Sequence, residues 1–249
     1  RHTMLDMRTP AEIDRAMYLS KGMQYFNRRK TRAFTLNVFM GNFGEVQRAC
    51  AEFDNPQTAL KYFKESPVGP GMQAHMEVMR HFHNFLAAAK SLIDHTRLFI
   101  DEFYANAPLK QAYEQKVQAD LAEDPLFKFV QDLRNYMLHR ALPPGSITLS
   151  AVRLDETDKS EITTTVDLDK QGLLKWQNWT KPSRKYLSQA PDHIRISDIC
   201  TPYGKAVVEF YNWFDAKLHK HHEADIEEFE SLRRLYRQAE ERQQSSGSP

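Results

Sequence analysis

The sequence has little of what marks several large classes of protein. Its only cysteines are Cys50 and Cys200, which excludes a disulfide scaffold and favours a reducing compartment. No apolar run approaches the ~20 residues of a membrane-spanning helix, and the polar N-terminal stretch does not resemble a secretory signal. Glycine-rich phosphate loops, a nucleophile elbow and Cys-x-x-Cys pairs are missing. We therefore expect a cytoplasmic protein that has no contact with membranes and needs no cofactor or metal.

A large excess of charge of one sign is also lacking. The chain of 249 residues carries 34 Lys and Arg against 33 Asp and Glu, which gives a formal net charge of +1. This balance argues against a general nucleic-acid coat protein, so any RNA binding must come from a local patch. The hydrophobic share of 41% and the charged share of 27% are those of a globular protein with a core to bury.

The first part of the chain shows the spacing of amphipathic helices. A capping box at residues 9–12 opens a helix to about Met23, and a second helix is predicted over residues 34–53. The densest basic run of the chain lies between them. This run is either a solvated helix end or linker, or a contact with RNA phosphates. The candidate RNA-binding residues in it are Arg28, Arg29 and Lys30.

Proline and glycine divide the chain into segments. The cluster at 66–71 is the clearest break, and we interpret residues 1–68 as an N-terminal helical subdomain. Residues 69–244 are predicted to form a mainly α helical bundle, in which the longest helix covers residues 72–104. Residues 245–249 are predicted to be a disordered tail.

Two stretches rich in Ile, Val and Thr interrupt the helices. Residues 147–154 and 161–168 alternate apolar and polar side chains, so they predict a β-hairpin inserted at about 146–169. An isolated hairpin is marginal in water, so it must pack on the bundle or on a partner. After it, a long last helix is predicted from a cap at Thr201, with fraying from Ala239.

Aromatic and basic side chains alternate between the hairpin and the last helix. They can stack bases and hold phosphates, but they are equally typical of an amphipathic helix whose apolar side faces inward, and we prefer this second interpretation. The residues concerned are Trp176, Trp179, Lys181, Arg184, Lys185 and Tyr186. A crowd of histidines in the last helix has the spacing of a weak metal site at best, and we predict no metal there.

The most informative stretch is residues 124–140. Asp124 can accept a hydrogen bond from an early backbone N–H, and Pro125 fits the first helical position. Arg134 lies inside the apolar arc of this helix, where a guanidinium needs a partner because its desolvation is costly. The apolar arc holds Leu126, Phe127, Val130, Leu133, Met137, Leu138 and Ala141. A separate polar stripe holds Lys128, Asp132, Asn135 and His139.

Residues 134–139, which read Arg-Asn-Tyr-Met-Leu-His, resemble the signature of HEPN-domain proteins: an Arg, then a polar residue, then a His late on a helix. The resemblance covers roughly residues 70–142 and the C-terminal helix. It implies a metal-independent endoribonuclease that acts as a homodimer on single-stranded RNA or a tRNA loop. The ribose 2′-OH would attack the phosphate and leave a 2′,3′-cyclic phosphate and a 5′-OH.

The resemblance also implies roles for individual residues. His139 would be the general acid or base, because an imidazole exchanges protons near neutral pH. Arg134 would hold the scissile phosphate, because a guanidinium binds phosphate bidentately. Asn135, one turn before His139, would orient the imidazole or contact phosphate. Apart from the resemblance, a buried Arg134 needs a carboxylate, and Asp94 is the first candidate; the other supporting candidates are Asn84 and Asp132. Lys128 and Arg140 are candidate RNA-binding residues that add positive charge nearby.

The geometry and the biological role both leave alternatives open. Arg134 and His139 differ by about 140° around a straight helix, so the site needs a frayed helix end or a groove reached from both edges, such as a dimer seam. Similar proteins often act in toxin–antitoxin or anti-phage abortive-infection systems, which implies an antitoxin or defence-system partner. The alternative is a non-catalytic RNA-binding or protein-interaction module, in which Arg134 is a buried structural cation paired with a carboxylate.

Overall fold

The computed structural model describes residues 9–58, 61, 72–154 and 159–246. Within them the fold is mainly α with a small antiparallel sheet, as the sequence predicts. The backbone forms two compact units, one built from Arg1–Phe34 and Tyr211–Pro249, the other from Thr35–Phe210. No helix in the described ranges is both long enough and apolar enough to cross a membrane.

The first unit pairs the two ends of the chain. Helix α1 (Pro10–Leu19) begins at the predicted capping box, in which the side chains of Thr9 and Glu12 each accept from the other's backbone N–H. It packs against the last helix, α9 (Glu223–Ser246). The apolar contact between them consists of Ile13, Leu232 and Ala239, surrounded by Ala16, Met17, Leu235 and Tyr236.

Helix α2 (Lys21–Asp54) runs without interruption through the basic run, so the predicted break between residues 23 and 34 is wrong. The chain breaks instead at Ser20, whose hydroxyl donates to the Met17 carbonyl at 2.7 Å and accepts from the Met23 N–H at 3.1 Å. Serine competes with helical backbone bonds in this way, whereas Arg and Lys are good helix formers. The residues of α2 up to Phe34 belong to the first unit and the rest to the second.

The second unit contains the longest predicted helix and the predicted motif helix. Helix α3 (Met72–Tyr104) has the predicted bounds, α4 (Pro108–Asp120) follows it, and α5 (Pro125–His139) carries the motif. The Asp124 carboxylate caps α5 by accepting from the N–H groups of Leu126 and Phe127 at 2.9 and 3.0 Å. Both α4 and α5 begin with a proline at the first helical position.

The predicted hairpin is present and is part of a three-stranded sheet. Strand β1 (Gly145–Leu154) pairs antiparallel with β2 (Lys159–Asp169), with Gly145 opposite Leu168. A short third strand, β3 (His193–Arg195), pairs with the end of β2 and escapes prediction, because three residues are too short to show alternation. Two short helices, α6 (Lys170–Leu174) and α7 (Lys181–Gln189), lie between β2 and β3.

The last predicted helix is two helices. Helix α8 (Ile196–His221) begins before the expected cap at Thr201, with Pro202 inside it, and α9 starts at Glu223 after a turn at His222. The fraying predicted from Ala239 is also wrong, because the side chain of Ala239 is buried and α9 continues to Ser246. Of the predicted tail, residues 247–249 lie outside the described residues.

The division into units differs from the predicted subdomains. The N-terminal helix α1 packs on the C-terminal helix α9, where Ile13 forms one apolar cluster with Leu232 and Ala239. The predicted boundary at 66–71 falls inside the range of the second unit, and these residues lie outside the described part of the chain.

Candidate functional site

Helix α5 carries the central residues of the candidate site. It packs against α3 on one side and against α7 on another. The side chains that anchor it are buried: Phe129, Val130, Asp132, Leu133, Tyr136 and Met137. A helix held on two sides has a fixed orientation, so the polar residues on its remaining side are positioned by the core.

The candidate catalytic residues lie along the open side of α5. Arg134 and Asn135 are partly buried, whereas His139 is exposed and is the last residue of the helix. Arg134 and His139 stand about 140° apart around the axis. Between them lies Leu138, which the sequence assigns to the apolar arc but which is 49% exposed. Arg134 and His139 therefore lie on the two edges of an exposed stripe that contains Leu138. They do not lie on the same face of the helix.

The predicted ion pair of Arg134 with Asp94 is not formed. Both carboxylate oxygens of Asp94 bond instead to the ammonium of Lys90, one turn earlier on α3. The Nε of Arg134 is buried without a hydrogen-bond partner, and no ion pair to Arg134 exists among the described residues. Asn84, the other candidate on α3, is partly buried. Within the described chain, the guanidinium is thus not tied to a structural carboxylate.

Asp132 has a structural role that the sequence does not indicate. Its buried carboxylate accepts hydrogen bonds from the Thr180 N–H at 2.9 Å, the Thr180 hydroxyl at 2.7 Å and the Ser183 hydroxyl at 2.6 Å. It therefore caps the first turn of α7 from a different helix. Because one carboxylate oxygen accepts all of these bonds, from an N–H and two hydroxyls of the same turn, Asp132 fastens α7 to α5.

The end of α5 carries a cation held on an aromatic ring. The guanidinium of Arg140, at the C-cap position, lies 5.6 Å from the ring centre of Tyr136. Trp179 stacks on the same tyrosine with an interplanar angle of 7°. Lys128, two turns before Asn135, is partly buried. Positive charge is thus present beside His139 and further along the helix.

The aromatic residues of 172–190 pack on α5, but the preferred interpretation of this segment as one amphipathic helix is wrong, because Trp176 and Trp179 lie in the turn between α6 and α7. Trp179 is 4% exposed, its indole N–H donates to the Leu173 carbonyl at 2.8 Å, and its ring stacks on Phe129. Tyr186 also stacks against Phe129, with ring centres 4.5 Å apart. Burial raises the pKa of Tyr186 to about 12. Trp176 and Tyr186 are only partly buried, whereas Trp179 is buried.

The predicted phosphate contacts of the basic run lie in the other unit, on α2. Arg29 and Lys30 are exposed, and Arg28 bonds to Gln24 at 3.5 Å. Sequence reasoning misses Arg32 in the same run, which is 6% exposed and forms an ion pair with Asp215. Its guanidinium lies 5.1 Å from the ring centre of Phe214. One cation of this run therefore serves the core of the first unit.

One histidine of the α8–α9 junction, His222, is buried and has a structural role. The ring of His222 lies 4.6 Å from that of Tyr25, and its Nδ1 is 2.8 Å from a carboxylate oxygen of Asp225. Burial, followed by the neighbouring His222, lowers the pKa of His221. Across the residues that the structure describes, no three His, Cys, Asp or Glu side chains are grouped to hold a metal ion.

Comparison with known proteins yields no relative: the chain matches no family model, no curated protein and no solved structure. The resemblance to HEPN-domain proteins therefore stays a prediction carried by residues 124–142, and the site itself is the basis for a functional proposal.

Proposed function

We propose that the protein is a metal-independent endoribonuclease of the HEPN type. The observation that carries this proposal is the state of Arg134: its guanidinium lies at the border of an exposed stripe, partly buried, and no carboxylate of the described chain is paired with it. A partly desolvated cation without an anion is poised to bind one from outside, because a phosphate would supply the missing partner.

His139 supplies the acid–base group that the reaction needs. It is exposed at the end of α5, so a substrate can reach its side chain. In the proposed reaction one imidazole takes the proton of the ribose 2′-OH, and the 2′ oxygen bonds to phosphorus. The bond from phosphorus to the 5′ oxygen then breaks, and that oxygen receives a proton. Arg134 neutralises the charge that grows on the non-bridging oxygens.

One proton leaves the 2′ oxygen and another reaches the 5′ oxygen on the opposite side of the phosphorus. A single His139 cannot carry out both transfers at the same time. We propose that a second copy of the chain supplies the other imidazole, in a homodimer that meets at the exposed stripe of α5. The exposure of Leu138 (49%) and of Leu142 (62%) beside the motif supports such a seam, because apolar side chains in contact would be removed from water. Asn135, partly buried one turn before His139, would orient the ring.

The biological setting is proposed on the resemblance alone. A nuclease of this type fits a cytoplasmic toxin or an abortive-infection effector, with an antitoxin or defence-system partner and single-stranded RNA or a tRNA loop as substrate. The two free, buried cysteines are compatible with a reducing compartment.

The test is an RNA-cleavage assay in EDTA with chemical analysis of the product ends. We expect the native protein to cut RNA to 2′,3′-cyclic phosphate and 5′-OH ends, and His139→Ala and Arg134→Ala to lose on the order of 100-fold or more in rate. His219→Ala is the matched control, because His219 is also exposed in the last turn of a helix. Cleavage that needs a metal, or that survives in His139→Ala, would overturn the proposal.

A further inference from the structure

One surface beside the motif helix concentrates positive charge. Every charged residue between Asp169 and Asp192 is basic, in a chain whose formal net charge is only +1. Four of these cations have exposed side chains: Lys175, Lys181, Arg184 and Lys185. A local excess of this kind attracts a polyanion even when the whole protein is nearly neutral.

The basic segment is fastened directly to α5. Helix α7, which carries three of the exposed cations, packs on α5 and is capped by Asp132. The turn before α7 is held by Arg184, whose Nε donates to the Trp179 carbonyl at 3.1 Å and whose guanidinium also donates to the Gln177 carbonyl at 2.7 Å. The geometry of the turn is therefore set before any ligand binds.

Trp176 lies in this turn and packs beside the last turns of α5. Its ring is perpendicular to the nearly parallel rings of Tyr136 and Trp179, with centres 5.4 and 4.7 Å away. Both of those residues are buried, at 4% exposure each, whereas Trp176 is only partly buried. An indole that rests on a rigid aromatic pair and retains open surface can accept another flat ring.

The same tyrosine connects Trp176 with the motif. Tyr136 is one turn before His139 and Arg140, and the Arg140 guanidinium lies over its ring. The indole, an exposed cation and the candidate catalytic imidazole are therefore grouped around one turn of helix. This combination suits single-stranded RNA, because an aromatic ring can stack on an unpaired base while nearby cations bind the phosphates next to it.

We propose that Trp176 is the stacking platform for an unpaired base of RNA, and that Lys175, Lys181 and Lys185 hold the phosphates of the same strand. The inference rests on the proposed function in one respect, namely that the bound strand is the one that is cut at His139. It commits to single-stranded RNA, because a base in a duplex offers no free face to the indole.

The test measures binding separately from cleavage. Fluorescence anisotropy of a labelled oligouridine strand and of a matched RNA duplex is recorded with His139→Ala protein, so that cleavage does not interfere. We expect Trp176→Ala in this background to bind the single strand on the order of 10-fold more weakly, with little change for the duplex. Trp176→Phe should retain most of the affinity, because it keeps an aromatic face.

Two further variants guard against loss of folding. Lys175→Gln combined with Lys181→Gln changes only exposed side chains and should reduce the salt dependence of binding, because fewer counterions are released. Trp213→Phe, at a partly buried tryptophan of the first unit, should leave RNA binding unchanged. Unchanged single-strand affinity in folded Trp176→Ala, or an unchanged salt slope in the double variant, would overturn the inference.

The two proposals fail in different ways. If the native protein cuts RNA but Trp176→Ala binds it normally, the ribonuclease proposal stands and the stacking platform is wrong. If binding depends on Trp176 and the native protein cuts nothing, the platform stands as an RNA-binding surface and the ribonuclease proposal is wrong.

Discussion

The Asp132 carboxylate on α5 accepts a hydrogen bond from the Ser183 hydroxyl on α7 at 2.6 Å, across 51 residues of sequence. Because the same oxygen also accepts from the Thr180 N–H and hydroxyl, a single residue of the motif helix caps a neighbouring helix. The basic segment with Trp176 depends on α7, so this bond ties the proposed binding surface to the proposed catalytic helix.

We expect Asp132→Ala to lower the free energy of unfolding by about 2 kcal/mol, because it removes a cap and takes a charged acceptor from the buried Ser183 hydroxyl. Asp132→Asn keeps one carbonyl oxygen and should cost less. Denaturant unfolding measures both. Asp120→Ala removes an exposed carboxylate paired with Lys116 at 2.6 Å and should change stability by under about 1 kcal/mol. A loss in Asp132→Ala no larger than this control would contradict the capping role.

The arginines at positions 134 and 32 should respond differently to the same change. Arg134→Met should leave the free energy of unfolding within about 1 kcal/mol of the native value, because no ion pair is broken and a guanidinium need no longer be desolvated. Arg32→Met should cost about 2 kcal/mol or more, because it strands Asp215 and removes the contact with Phe214.

Thermal or denaturant unfolding compares these variants, and the cleavage assay is run on the folded ones. Loss of cleavage with retained stability in Arg134→Met is the result that the ribonuclease proposal requires. Severe destabilisation of Arg134→Met would instead support the structural-cation alternative.

The elements that local chemistry determines could be predicted from the sequence. Helix α5 has its expected bounds because its capping residue, its proline and an apolar period of 3.6 agree. Helix α3 has them because a long apolar period of 3.6 follows the proline and glycine cluster at 66–71. The hairpin β1–β2 is equally predictable from its alternation. The break between α8 and α9 is not, since it coincides with contacts of His222 to Tyr25 and Asp225 that lie partly far away in sequence.

In the candidate site, too, some features could be predicted from the sequence and others could not. The positions of Arg134 and His139 on α5 follow from helical geometry, including their separation around the axis. The roles of Asp94 and Asp132 do not follow from helical geometry. A helical wheel shows which residues share a face, but it does not show which group binds each carboxylate. Lys90 binds the first and the α7 N-terminus binds the second.

Two helical glycines should have opposite effects when replaced by alanine. A β-carbon on Gly41 of α2 would enter open space, so Gly41→Ala should raise the free energy of unfolding by about 0.5–1 kcal/mol through helix propensity. A β-carbon on Gly204 of α8 would lie 2.6 Å from Cε1 of Phe43, so Gly204→Ala should lower it by about 1–3 kcal/mol. Denaturant unfolding of the two variants measures both changes in the free energy of unfolding. Changes of the same sign would contradict the open space at Gly41 or the close contact at Gly204.

His75 should make folding sensitive to mild acid. Its Nδ1 is buried without a hydrogen-bond partner, its ring lies against Gly145 at the start of β1, and burial lowers its pKa below the ordinary value of 6.5. As pH falls through about 6.5, the unfolded chain binds a proton at His75 before the folded chain does. The unfolded state is therefore favoured, and the contribution of neutral His75 to stability is present above this pH and is lost below it.

We expect the stability of the native protein to fall between about pH 7 and pH 5, and His75→Gln to reduce this fall because it removes the proton that the unfolded state gains. Urea unfolding at several pH values measures the slope in each protein. His219→Gln is the control, since it makes the same replacement at an exposed histidine. If both variants show the same dependence of unfolding free energy on pH as the native protein, the acid sensitivity does not originate at His75. Protonation then does not oppose folding at the contact of α3 with β1.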